Sequence, residues 1–160
     1  MKFFDKEKVT QCNLLGKKEI KEFIKNGCDF LNTKEKYKNY QLSNKSSVIV
    51  DENKNILFFT YFDKICFNFS LKKHKQIYLD SGALKPLERG ADVMIPGILK
   101  YLDKQDNFEE GDVLHINIEG HGIYAVGVAK LSLSECKQRG EGVCVSVLNV
   151  NNGYLEKIIK

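Results

Sequence analysis

The chain has 160 residues and contains no tryptophan, only two prolines and only two methionines. Its unbroken apolar runs are short, such as Ile56 to Phe59 and the glycine-interrupted Tyr124 to Ala129. None approaches the roughly 20 apolar residues of a membrane span. The first residues carry charge within and just after their single apolar pair, Phe3 and Phe4, which argues against a secretory signal. The expected location is therefore the cytoplasm. The five cysteines, Cys12, Cys28, Cys66, Cys136 and Cys144, are odd in number, and none lies two or three residues from another. That excludes a zinc-finger spacing and leaves buried or half-buried thiols in a reducing compartment as the expectation. Phosphate-loop, nucleophile-elbow and zinc-protease motifs are all missing. His74 lies in a basic run, His115 in an alternating strand and His121 in a glycine-flanked turn, none beside a cysteine or carboxylate at a recognisable spacing. Structural or surface roles are expected for all three, and Glu109, Glu110 and Asp112 read as turn-shaping acids. No enzyme, cofactor or metal is expected.

What is present is an uneven distribution of charge. Residues 1–79 hold sixteen lysines against nine acids, a balance of +7, whereas residues 80–160 hold nine basic residues against twelve acids, a balance of −3. A basic half joined to a mildly acidic half suggests two modules with different partners. In the first, "GKKEIKEFIKNG" places Ile20, Phe23 and Ile24 on one helical face, and Gly27 can end the helix. "LNTKEKYKNYQL" reads as a second helix or a loop. "SSVIV", "NILFFTYF" and "KICFNFS" then read as a meander of short strands in which most aromatic residues face inward. The first half is thus expected to be helix followed by sheet. In the second half, "QIYLD", "ADVMI", "GDVLHINIEG", "IYAVGVAKLS" and "VCVSVLNV" read as strands. "ALKPLERG" and "SLSECKQRG" read as short helices, the latter capped by Ser132 or Ser134. That is the pattern of a small closed or nearly closed β-barrel. The expected class is α+β, with domains over 1–76 and 77–160 that share an interface.

The segment "LDSGALKPLERGADVMIPGI", Leu79 to Ile98, holds both prolines and three of the twelve glycines. Gly82 permits a sharp turn out of a strand, Pro86 suits a first helical turn, and Gly90 closes that turn. Pro96 and Gly97 read as stopping the strand "ADVMI" in a turn. Lys85 and Arg89, four apart, project to one face. Such a strand–turn–strand platform could hold a phosphate or an extruded base. Equally, its glycines and prolines could serve only to close a compact barrel.

These residues resemble the signature of the PUA domain, named for pseudouridine synthases and archaeosine transglycosylases. The likeness lies in Asp80, Gly82 and Ala83, in Arg89 to Val93, and in Pro96 to Ile98. It extends through "EEGDVLHI", "IYAVGVAKLS" and "RGEGVCVSVLNVNNGYLE". The opening "MKFFDKEKVTQCNLLGKKEIKEFIKN" and "ILFFTYFDKICFNFSLKKHK" are similar to the N-terminal domain of the malignant T-cell-amplified sequence family, in which a pre-PUA domain precedes a PUA domain. The resemblance implies an α+β N-terminal domain followed by a PUA-type β-barrel. It further implies an RNA-binding translation factor, not an enzyme. Such a factor would act with a density-regulated-protein homologue, supplied in trans, on the small ribosomal subunit. Its roles would be removal of deacylated tRNA after termination and reinitiation. The runner-up is an RNA-binding accessory in ribosome assembly or tRNA processing. The RNA-binding candidates are Gly82, Lys85, Arg89, Gly90, Ala91, Pro96 and Gly97 for a tRNA acceptor end. For ribosomal RNA they are Lys17, Lys18, Lys21, Lys25, Lys72, Lys73 and Lys75, whose neutralisation of phosphates would make binding salt-sensitive.

Overall fold

The structure, a computed structural model, describes residues 3–159. Strand β1 (Val9–Leu14) precedes helix α1 (Lys17–Lys25), and β2 (Lys38–Leu42), β3 (Ser47–Val50), β4 (Ile56–Tyr61) and β5 (Lys64–Phe67) follow. The five strands form an antiparallel meander in chain order. The helix is where its apolar spacing places it: Ile20 is buried, Phe23 and Ile24 pack on the same core, and Gly27 follows with φ of 110°. The helix-then-sheet order needs correction, because a strand comes first. All six residues of β1 are exposed, so it lacks the alternation by which a half-buried strand is recognised. The segment read as a second helix or loop contains β2. Its Lys38, Asn39 and Gln41 have little strand preference and are held by pairing with β1 and β3 on either side.

Side chains alternate along β3 to β5, and both faces of these strands are covered. On one face Ile49, Phe58 and Phe67 join Leu15, Ile20, Cys28, Leu31 and Tyr37 beneath α1. On the other, Phe4, Leu42, Val48, Val50, Phe59 and Cys66 cluster with Val126, Leu148 and Leu155 of the second half.

That second half runs β6 (Lys75–Leu79), a 3-10 turn (Ser81–Ala83), α2 (Leu84–Glu88), β7 (Val93–Met94), α3 (Ile95–Leu99), a second 3-10 turn (Leu102–Lys104), β8 (Val113–Ile118), β9 (Gly122–Ala129), α4 (Leu133–Arg139), β10 (Val143–Val150) and α5 (Tyr154–Ile159). Its sheet has the order β6-β8-β9-β10-β7, with β6 parallel to β8 and the other pairs antiparallel. The order is linear, so the expected barrel is a half-barrel whose edges are β6 and β7. Helix α3 lies in the gap: a Cβ on Gly97 would sit 3.5 Å from Leu79 Cδ2 of β6. Ser132 caps α4 by accepting the Glu135 N–H, with Gly140 left-handed at its end. Gly127 is required by packing, since a Cβ there would lie 2.5 Å from the Ser146 carbonyl oxygen, beside the register shift between Val147 and Asn149. No helix of the described residues is long and apolar enough to cross a membrane.

The two sheets are also joined at Phe67, the last residue of β5. Its N–H donates to His74 Nε2 at 2.9 Å, and its carbonyl lies 2.9 Å from His115 Nε2. An acceptor nitrogen on His74 and a donor on His115 define both tautomers: His74 carries its proton on Nδ1 and His115 on Nε2. The rings meet edge to face at 4.8 Å. Burial pushes the His74 imidazolium down to about 4, with His115 adding to the effect. Burial also lowers His115, opposed by its bond to Phe67. His115 Nδ1 is buried with no partner among the described residues.

Two outcomes are expected. Phe59→Ala should lower unfolding free energy by about 3–5 kcal/mol, and because Phe59 sits in the common cluster, chemical denaturation should remain a single transition. Two separated transitions would show that the halves unfold independently. His74 binds its proton more weakly folded than unfolded, so its contribution is complete above pH 6.5 and is lost as pH falls toward 4. Denaturation at pH 7 and pH 5 should differ by about 2 kcal/mol. His74→Gln, which keeps an acceptor and cannot titrate, should reduce that difference. An equally steep loss in the variant would assign it to other groups.

Candidate nucleic-acid interface

The segment Leu79 to Ile98 can be followed bond by bond. Asp80 ends β6 and caps the 3-10 turn, its Oδ1 accepting the Gly82 N–H at 3.0 Å. A Cβ on Gly82 would sit 3.2 Å from that same oxygen, so the Asp-x-Gly spacing is a local closure. The other carboxylate oxygen is ion-paired with Lys100. That hydrogen bond holds the Asp80 carboxyl below its ordinary range and the Lys100 ammonium above its own. The Lys100 ammonium lies 5.9 Å from the centre of the Tyr101 ring, whose hydroxyl donates to Glu119 at 2.6 Å.

Pro86 is the third residue of α2, where a missing N–H leaves no helical bond unmade. Leu87 anchors the helix in the core. At its end Gly90 has φ of 91°, its N–H bonds the Leu87 carbonyl at 3.0 Å, and the Ala91 N–H bonds the Pro86 carbonyl at 2.9 Å. Asp92 accepts the Val147 N–H of β10 at 3.0 Å. The expectation for Pro96 and Gly97 is corrected here: β7 is only two residues long, and both residues lie in the first turn of α3. A locked φ and no N–H suit a helix start as well as a strand stop, so the sequence did not separate the two. The platform is therefore strand, two short helices and a vestigial strand.

Between these pieces is a groove of about 170 Å³ lined by Leu79, Asp80, Ala83, Pro86, Leu87, Asp92, Val93, Met94 and Gly97. Its walls are apolar and its polar groups are two carboxylates. That chemistry suits the face of a flat apolar ring and donors on its edge better than it suits a phosphate. Lys85 and Arg89 are exposed and stand outside the groove. Gly90 borders a second cleft behind α2. Of the seven platform candidates, only Gly97 lines the groove itself. Met94, absent from the sequence-derived set, lines the groove, and Lys100, also absent, pairs with the lining residue Asp80; an ion pair twenty residues apart leaves no sequence signal.

The basic candidates also divide. Lys17, Lys18, Lys21 and Lys25 are exposed on α1, and Lys72 is exposed in the connection between the sheets. Lys73 is ion-paired with Asp29, bonds the Gly27 carbonyl at 3.3 Å and lies 5.7 Å from the Phe30 ring centre. Lys75 pairs with Asp112 at 3.3 Å. Both line a cleft of about 660 Å³ at the junction, with Lys64, His74 and Asp63. Asp112 also accepts the Glu109 N–H at 2.9 Å, in keeping with a turn-shaping role. Among the described residues no cluster of His, Cys, Asp and Glu is arranged to hold a metal ion.

Comparison with known proteins agrees with this architecture. Residues 75–150 match the family model of the PUA domain, and the chain is a PUA-domain protein. It is 30% identical over 115 residues to translation machinery-associated protein 20 of Schizosaccharomyces pombe, covering 67% of this chain and 64% of that one. It is 36% identical over 81 residues to an uncharacterized protein of Methanocaldococcus jannaschii, covering 50% of this chain and 48% of that one. The matches thus span about half to two thirds of those relatives. A hypothetical protein of Pyrococcus horikoshii has a crystal structure that covers 94% of this chain and 100% of its own, with a TM-score of 0.72 at 24% identity, which shows a shared fold.

Gly90→Val should cost about 1–3 kcal/mol of stability, because a β-branched residue resists positive φ. Thermal unfolding measures it, and an unchanged midpoint would mean the α2–β7 connection relaxes freely.

Proposed function

We propose that this chain is an RNA-binding translation factor that acts on the small ribosomal subunit in the cytoplasm. It would work with a density-regulated-protein-like partner, in removal of deacylated tRNA after termination and in reinitiation. The observation that carries this reading is the 30% identity to a protein named for its association with the translation machinery, over 67% of this chain. The PUA domain supports an RNA ligand. A −3 half cannot act as a general phosphate trap, so in this reading it takes a tRNA acceptor end by shape. A terminal base enters the apolar groove, and Lys85 and Arg89 meet the backbone leading into it. The +7 half, through the α1 lysines and Lys72, contacts ribosomal RNA. The chain would bind and position RNA rather than transform it.

Affinity purification of the tagged chain tests the assignment. Small subunits together with a density-regulated-protein homologue are expected; pre-ribosomal particles alone would favour the accessory role in ribosome assembly. Lys85→Ala with Arg89→Ala should leave the thermal midpoint nearly unchanged and weaken acceptor-end binding by about 1–3 kcal/mol. Intact affinity would make the platform scaffolding and move the RNA surface to the basic half.

A further inference from the structure

The hairpin between β4 and β5 exposes an aromatic ring that the fold does not use. Phe62 is 82% exposed, and with Asp63 it forms the two-residue loop between the paired residues Tyr61 and Lys64. Its φ is 54°, in the left-handed region that favours glycine. Phe58 and Phe59 of the same aromatic run are buried. The ring is nevertheless held in place. It meets Tyr61 edge to face at 4.7 Å, Tyr61 meets Phe3 at 4.8 Å, Phe3 meets Phe4 at 4.7 Å, and Phe4 reaches Phe59 in the common core at 5.0 Å.

The neighbouring loops belong to the same end of the sheet. Ser46 and Ser47 bond Thr60, and Asn44 bonds the Phe3 carbonyl. They put the turns that carry Lys45, with φ of 70°, and Lys6, with φ of 64°, at the hairpin's end of the sheet, and Lys64 stands opposite Tyr61. Neither Lys6 nor Lys45 forms an ion pair with an acid among the described residues, whereas Lys64 turns into the junction cleft beside Gly111.

From this placement we propose that Phe62 is a stacking platform for an unpaired base of single-stranded RNA, with Lys6 and Lys45 near the adjoining phosphates. The proposal rests on the RNA-binding reading above and adds a contact that the PUA half does not contain. A protein pocket fits less well, because aromatic anchors at protein interfaces sit among apolar neighbours from which lysine is depleted. An aromatic face among lysines is instead the arrangement that captures single strands. The same loops carry Asp5, Glu7 and Asp63, Glu7 being bonded to Ser43. Stacking, rather than charge, therefore supplies most of the affinity.

The test uses a short single-stranded RNA containing 2-aminopurine and the full chain. Phe62→Gly relieves the left-handed backbone, so its thermal midpoint should rise, whereas a purely structural Phe62 would make it fall. Its affinity should drop about tenfold, with loss of the 2-aminopurine quenching seen with the parent chain and little change in salt slope. Phe62→Trp, the sole indole in a chain without tryptophan, should bind at least as well as the parent and be quenched by RNA. If the parent binds and Phe62→Gly binds equally, the stacking platform is overturned while the RNA-binding reading stands. If the parent binds neither this RNA nor small subunits, both fail together.

Discussion

Strands β3 to β5 of the N-terminal sheet have no solvent face to spare. Strand residues alternate, and here both sets are apolar: Phe58 faces α1 and Phe59 faces the PUA strands. A five-stranded meander covered only by a nine-residue helix would leave Val48, Val50, Phe59 and Cys66 in water. Burying them against Val126, Leu148 and Leu155 removes apolar area worth roughly 1.5–3 kcal/mol for each large side chain. The relative placement of the basic and acidic halves follows from that burial. So does the position of the junction cleft, with Lys64, Lys73 and Lys75 around it.

Apolar packing fixes which faces meet, and the two imidazoles on Phe67 fix the register. A hydrophobic cluster tolerates sliding, whereas a residue whose N–H and C=O are both bonded does not. The arrangement depends on neutral imidazoles, which burial favours, and it ties the end of β5 to both the connection and β8. Histidine here is a backbone partner at an edge strand.

In the PUA segment much of the family signature serves the backbone. Asp80 and Gly82 close a turn, and Gly90 and Ala91 end a helix. These are backbone requirements, and they leave an apolar groove with exposed cations outside it. Met94 lines that groove and Lys100 pairs with Asp80 at its edge, and the spacing of neither carries a pattern.

The sequence by itself determined helix α1, the aromatic strands β3 to β5, the strands of the second half, the capped helix α4 and the left-handed turns at Gly27 and Gly90. In each case the information is local: apolar period, a capping hydroxyl, or a residue without Cβ. It did not determine β1, exposed throughout, or β2, whose polar residues pair only because neighbours hold them. The roles of Pro96 and Gly97 were ambiguous because the same backbone preferences end a strand and begin a helix. Tertiary structure alone decided that the sheet stays open between β6 and β7, that Lys73 and Lys75 are engaged by Asp29 and Asp112, and that His74 and His115 grip one residue. It also left Phe62 outside while Phe58 and Phe59 went in. Those outcomes depend on groups tens of residues apart, and no local preference encodes their meeting.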